Sequence, residues 1–417
     1  ARVSQDNMKS VDYKLFFTVL LLVIFWMIMI SSVSVWGSFR VTSAQASAWM
    51  ISEAYNHFYV LRNIAHVIIS FSLIWFLVKI KYTFFEKYSK HIFSFSIILL
   101  IIVLVIWANY KWARWWISIP WVPFNIQPTE FLKFALIVYL AAFFKQYKKY
   151  LHTFNEWFVP FTIVLWVILL LVGAQPDFGT ILIIVPISFM MFFLAWANIR
   201  YLLLMFAMWV IVALSVYTIW DYDKETWKNL NNFWYITHRI DNFLADNQEA
   251  IANKTINYQT EQALIAIWSG GFAWLWFGQS VQKFWYLPEV QWDFIFSVIV
   301  EELGFRWAFI FLCMYMYIWY RWLLISLYSS DLFAKYAAFW ITVWILLQAF
   351  INIGVNLNIV PLTGITLPFI SYGWSSLLSL SLWLALLLSI SREINPDEYK
   401  KKMKRKKYFS IRKKLWL

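Results

Sequence analysis

Apolar runs of about twenty residues recur from one end of the chain to the other, and this narrows the fold more than any other feature. A run of that length crosses a hydrocarbon core of about 30 Å as one α-helix. The composition agrees: 62% hydrophobic and 14% charged, where soluble domains carry about 25% charged residues. The mean hydropathy is +0.63. These features predict an all-α, polytopic integral membrane protein. Ten spans are expected, near 14–36, 60–80, 91–108, 128–146, 156–174, 178–196, 199–220, 293–320, 333–356 and 366–391. The first run is longer than a signal peptide and has no small-residue cleavage site, so it is expected to remain as a span.

Charge orients the bundle. Lys79, Lys81, Lys87 and Lys90 lie between the second and third spans, and Lys145, Lys148 and Lys149 between the fourth and fifth. Arg200 and Lys335 fall on the same side, which the positive-inside rule makes cytoplasmic, with both termini inside. The membrane domain is expected over 1–392. A basic cytoplasmic tail, 393–417, includes KKKMKRKKYFSIRKK. Much of the net charge of +13 sits there, suited to anionic membrane lipids; with no folded basic domain, no nucleic-acid partner is expected. The one long loop, about 221–292, lies outside and is long enough to be functional. Its later part, EQALIAIWSGGFAWLWFG, is apolar but broken by glycine, which suits a re-entrant or surface-lying segment. Cys313 is alone and no HExxH or paired metal spacing occurs, so neither a disulfide nor a zinc site is expected. No P-loop or GxGxxG supports nucleotide chemistry.

In this topology spans 4, 6, 8 and 10 begin on the outer side. Their starts read QPTEFLK, QPDFGT, LPEVQWDF and TLPFISYG. Proline suits a helix start, and an acid complements the positive end there. Taken singly, Asp177 and Asp293 are ordinary N-caps, and Glu130 is a first-turn acid three residues before Lys133. Taken together, four helix N-termini on one face suit an anion such as phosphate. Lys111 and Arg114, in YKWARWW before span 4, add fixed positive charge. Phosphate held beside a spare carboxylate suggests acid–base chemistry on a phosphorylated substrate.

Span 8 also carries Glu301 and Glu302 at membrane depth, where acids face a bundle interior or water and attract functional suspicion. On a regular helix Glu301 lies about 12 Å beyond Asp293 and about 80° around the axis, with Glu302 about 180° around. Glu301 is therefore expected to line the cavity of Asp293, and Glu302 to find a partner elsewhere. A buried polar network locking helices together is the plainer role for both.

These motifs resemble the SEDS family of bacterial cell-wall polymerases (shape, elongation, division and sporulation; the FtsW- and RodA-like proteins). The resemblance runs through QPTEFLKFALIVYLAAFF, QPDFGT, LIAIWSGG, QSVQKFWYLPEVQWDFIFSVIVEELGF and INIGVNLNIVPLTGITLPFISYGWSSLL, in that order. The QSVQKFWYLPE stretch is more similar to the division members, FtsW, than to RodA. The resemblance implies a glycosyltransferase that polymerises lipid II into peptidoglycan strands beside a class B penicillin-binding protein. It places the family's catalytic aspartate on Asp293 and the supporting acid and lysine on Glu130 and Lys133. Asp177 and Arg114 fall on further motif positions. Lys111, Glu301, Ser371 and Ser375 join them as expected substrate-binding groups. A divalent cation would assist the leaving pyrophosphate where one is bound. Two rivals are weighed against this: a flippase for lipid-linked sugars, which also uses broken helices and intramembrane acids, and a non-catalytic scaffold that activates a partner synthase.

One count is abnormal. The chain has 29 Trp and only 10 Gly, although membrane helices usually use more glycine than soluble ones. Trp374 interrupts SYG and SS, Trp268 precedes SGG, and Trp112, Trp196, Trp274, Trp276, Trp285 and Trp307 stand in similar settings. Interfacial belts account for Trp near membrane surfaces but not inside Gly–Ser turns. The expectation is that one codon, read here as tryptophan, specifies glycine in the source cell.

Overall fold

The computed structural model describes residues 12–106, 116–118, 125–150, 153–175, 177–194, 200–201, 203–211, 243, 257–272 and 275–394. The helices are α1 (Tyr13–Val33), α2 (Val35–Ser47), α3 (Phe58–Leu77), α4 (Tyr82–Lys87), α5 (Ser89–Ile106), α6 (Pro128–Gln146), α7 (Val159–Ala174) and α8 (Phe178–Leu194). After the long loop come α9 (Asn257–Gly270), the short α10 (Gln282–Trp285), α11 (Ile295–Tyr328), α12 (Leu332–Asn356) and α13 (Trp374–Arg392). Residues 203–211 of the expected seventh span are helical. The only strands among the described residues are two-residue stubs before α6, paired antiparallel with Ile117 opposite Ile126. Five helices are individually long and apolar enough to cross a membrane: α1, α3, α7 with the turn before it, α12 and α13.

Helices that are apolar all round must be buried or face lipid. α1 does one on each side: Leu15, Val19, Leu22, Trp26 and Met29 are buried, while Phe17, Leu21, Ile24 and Ile28 are exposed. α6, α12 and α13 form the centre and are buried along almost their whole length. Starts are set locally. Asp12 accepts from the Leu15 amide at 3.1 Å, Asp331 from the Ala334 amide at 3.1 Å, and Pro128 occupies the first turn of α6.

α11 differs from the regular span expected at 293–320. Gly304 sits at φ 73°, ψ 173° and divides it into a short outer helix and a long inner one. The Phe305 amide, freed by the break, donates to the Gly271 carbonyl at 3.0 Å. The loop segment that supplies this carbonyl packs against the outer half of α11 through α9. A Cβ built on Gly270 would lie 2.1 Å from the Val300 carbonyl oxygen, so only glycine permits this backbone approach.

Candidate active site: four helix mouths gathered outside

The starts of α6, α8, α11 and α13 are joined to one another by short contacts. The Gln127 amide donates to Ser375 Oγ at 2.9 Å, Ser375 Oγ donates to the Asn125 carbonyl at 3.0 Å, and Ser379 Oγ to the Glu130 carbonyl at 2.8 Å. These tie α6 to α13. The Tyr372 amide donates to the Gln291 carbonyl at 2.8 Å, tying α13 to the turns before α11. At the start of α8, a Cβ on Gly179 would meet the Thr363 carbonyl at 2.8 Å. One on Gly364 would sit 3.8 Å from Asp293 Oδ2. The loop between α12 and α13 thus touches the α8 mouth on one side and faces the Asp293 carboxylate on the other.

Asp293 is half-buried and lies outside the helix: α11 begins at Ile295 with Phe294 in the cap position. Its backbone carbonyl accepts from Asn352 Nδ2 at 2.9 Å and from Asn356 Nδ2 at 3.0 Å. The second donor of Asn352 reaches the Ile365 carbonyl at 2.7 Å. Asn356 Oδ1 in turn accepts from the Ser297 amide and hydroxyl at 3.1 and 2.6 Å. One step back along α12, Gln348 Nε2 donates to the Thr366 carbonyl at 3.0 Å, and Trp344 Nε1 donates to Gln348 Oε1 at 3.2 Å. Trp344, Gln348, Asn352 and Asn356 are spaced four apart and share one face of α12. Sequence reasoning missed this ladder; its signal was amides at helical spacing in an otherwise apolar span.

The ladder ends beside the α6 acid. Lys133 Nζ lies 2.5 Å from Glu130 Oε1 and 5.9 Å from the Trp344 ring centroid. Both side chains are buried, so the pair spaced three apart forms as expected. Asp177 caps α8: its carboxylate accepts from the Thr180 amide at 3.0 Å and the Thr180 hydroxyl at 2.8 Å. Lys111 and Arg114 lie outside the described residues, as do Trp112, Trp196 and Trp274.

Three of the expected substrate contacts make bonds of their own in the structure. Glu301 is bonded to the outer loop. It is 1% exposed and caps a turn of the outer loop, accepting from the Ser280 hydroxyl and from the amides of Val281 and Gln282 at 3.1 and 3.4 Å. The residues before Ile295 form turns, so helical rotation cannot be counted from Asp293. Ser371 Oγ accepts from the Leu367 amide at 2.7 Å and closes its own turn. Ser375 is consumed in tying α6 to α13. Glu302 does find a partner elsewhere, Lys283, at 2.6 Å. The glycine-like turn expected at Trp374 is also absent: Trp374 opens α13 and packs its ring 4.9 Å from His66.

An all-α membrane bundle whose outward helix starts converge on a half-buried aspartate is the class of protein that this geometry defines. The chain matches the cell cycle protein family of FtsW, RodA and SpoVE over residues 13–395, and it belongs to that family. It is 31% identical over 386 residues to stage V sporulation protein E of Bacillus subtilis, covering 92% of this chain and 97% of that one. It is also 31% identical over 376 residues to the probable peptidoglycan glycosyltransferase FtsW of Wigglesworthia glossinidia brevipalpis, covering 89% and 94%. Its fold resembles the crystal structure of the rod shape determining protein RodA of Thermus thermophilus, with TM-score 0.63, 22% identity and coverage of 93% and 99%. A chain from a peptidoglycan synthase complex gives TM-score 0.67 at 19% identity, covering 93% and 98%.

Proposed function

We propose that this chain is a peptidoglycan glycosyltransferase that polymerises lipid II at the outer face of the bacterial plasma membrane, with Asp293 as general base. The observation that carries the reading is the convergence of four helix mouths on the Asp293 carboxylate, with the Glu130–Lys133 pair and the Asp177 cap holding two of those mouths in place. In the reaction an acceptor sugar hydroxyl attacks the anomeric carbon of the donor. The new C–O bond forms as the bond to the pyrophosphate breaks, and its electron pair leaves on the pyrophosphate lipid. The hydroxyl proton passes to Asp293, the role that needs a carboxylate within reach of the acceptor sugar. Arg114, Lys111 and Lys133 stabilise the departing diphosphate, aided by the free N–H groups of the helix starts. A divalent cation, where one is bound, would supply further positive charge to the departing diphosphate.

A class B penicillin-binding protein is the proposed partner, crosslinking the strands as they emerge, and the division septum the proposed place of action. Detergent-purified chain, supplied with labelled lipid II alone and with that partner, should make glycan strands that disappear with Asp293→Asn. Scrambling of lipid II in vesicles without strands would establish the flippase instead. Strand synthesis by the partner that survives Asp293→Asn would establish a scaffold.

A further inference from the structure

The geometry points to Lys283 and Glu302 as positioning residues for Asp293, a role that rests on the polymerase reading above. Two consecutive acids of α11 grip the same tetrapeptide of the outer loop from different sides of the helix. Glu301 takes the hydroxyl and amides of Ser280–Gln282. Glu302 takes the lysine that ends it, with Lys283 Nζ at 2.6 Å and both side chains nearly inaccessible. Ser32 of α1 completes the latch, accepting from Lys283 Nζ at 2.7 Å and donating to Glu302 Oε1 at 2.6 Å. From this anchor the chain runs through bonded turns to the site: Leu287 N to Gln282 O at 3.0 Å, then Asp293 N to Glu289 O at 3.1 Å. The latch fixes one end of the segment that carries Asp293, and Asn352 and Asn356 fix the other. A buried ion pair costs desolvation that apolar residues of similar volume avoid, so its value lies in holding one geometry.

Removing one partner strands a buried charge and can unfold the chain, so the informative variant is the double replacement Lys283→Met with Glu302→Met. Full-length protein of this kind should keep its melting temperature. In the lipid II assay its kcat should fall about tenfold or more while KM moves less than about threefold, as expected for a misplaced group at the reacting centre. Amide exchange should quicken over 280–293 and nowhere else. Unchanged kcat with unchanged exchange overturns the proposal. The exchange readout needs no turnover, so it tests the latch even where the unmodified chain makes no strands and the polymerase reading fails.

A separate observation concerns the tryptophans. We infer that a subset of them, Trp276 and Trp49 first, are glycine in the protein made by its own cell. At about 7% usage a chain of this length would hold about 29 glycines; this one holds 10, with 29 Trp. Trp276 has φ 88° and Trp49 φ 59°, in the left-handed region that a bulky side chain avoids and glycine occupies freely. Trp276 shares its turn with Gly278 at φ 84°. Neither ring is buried in the protein, Trp276 being 69% and Trp49 95% exposed. A single codon read as glycine would resolve the composition and the strained turns together.

Peptide mass spectrometry of the protein purified from its native cell decides this. The expected result is glycine at 276 and 49, each peptide lighter by one indolylmethyl group. Tryptophan at both positions overturns the inference.

Discussion

The two ends of the bundle, outer and inner by the charge reading, differ in how far water reaches the bonds that hold them. Outside, side chains grip backbone: Asn352 and Asn356 hold the Asp293 carbonyl, Ser375 bridges two helix starts, and Glu301 caps a loop turn. Inside, such bonds from Ser389 and Arg392 to the Ile80 and Val78 carbonyls stand beside partly exposed ion pairs: Lys145 lies 2.7 Å from both Glu86 and Asp331, and Arg321 pairs with Asp12. A bond to a buried carbonyl fixes where the chain runs and cannot be replaced by water. A half-exposed ion pair only biases long side chains that water and salt can satisfy equally well. The segment that carries Asp293 is held by the first kind of bond and by the buried Lys283–Glu302 pair, and by no half-exposed pair among those described.

The sharpest test of that contrast is at Asp293 itself. Asp293→Asn keeps the shape of the side chain and its backbone bonds but removes the proton acceptor. Strand synthesis from lipid II should fall by about 100-fold or more, in line with the usual worth of a general base, with no change in the melting curve. Asn352→Leu should come next. It leaves the Asp293 and Ile365 carbonyls short of a donor, at a cost of about 1–3 kcal/mol. Because it frees two loops that meet at the site, kcat should drop further than stability predicts. Single-turnover assays beside thermal melts measure the two effects separately. A variant whose rate falls no more than its folded fraction would reduce the ladder to ordinary packing.

Much of the fold was legible because lipid imposes it. The α6 start at Pro128 and the α12 limits match the spans read from hydropathy within a residue, since proline punctuation and an Asp331 cap mark them. The convergence of the helix mouths was legible from their shared side and shared motifs. What escaped the sequence was direction. Glu301 looked like a cavity residue only while α11 was treated as starting at Asp293, and nothing local in the sequence marks the turns that precede Ile295. Gly304 is one glycine among several, and its positive φ depends on Gly271, over thirty residues away. The amide ladder was visible as spacing, but its partners lie in a loop whose path the sequence does not determine.

At the α6 mouth stands the Glu130–Lys133 pair, buried like the carbonyl bonds but ionic like the inner pairs. Lys133→Met alone leaves Glu130 without its cation and should cost about 3–5 kcal/mol, read as a large fall in melting temperature. Glu130→Gln with Lys133→Met should recover most of that stability without recovering polymerisation. Recovery of both would make the pair structural and remove Lys133 from the diphosphate.

The smallest effect is expected at the inner end, and it bears most on the contrast. Lys145 is 33% exposed, with Glu86 and Asp331 at 25% and 24%. Water and salt reach all three, so the pairs are worth about 0–1 kcal/mol. Lys145→Met should shift the melting temperature slightly at low salt and not at all in high salt, where exposed charges are screened. It should leave polymerisation intact, because Lys145 meets α12 only at its Asp331 cap, about six helical turns from Asn352. A loss of activity as deep as that of Asn352→Leu would mean that the inner end is coupled to the site. The bundle would then have to be treated as one lever rather than as a fixed outer cleft on a tolerant base.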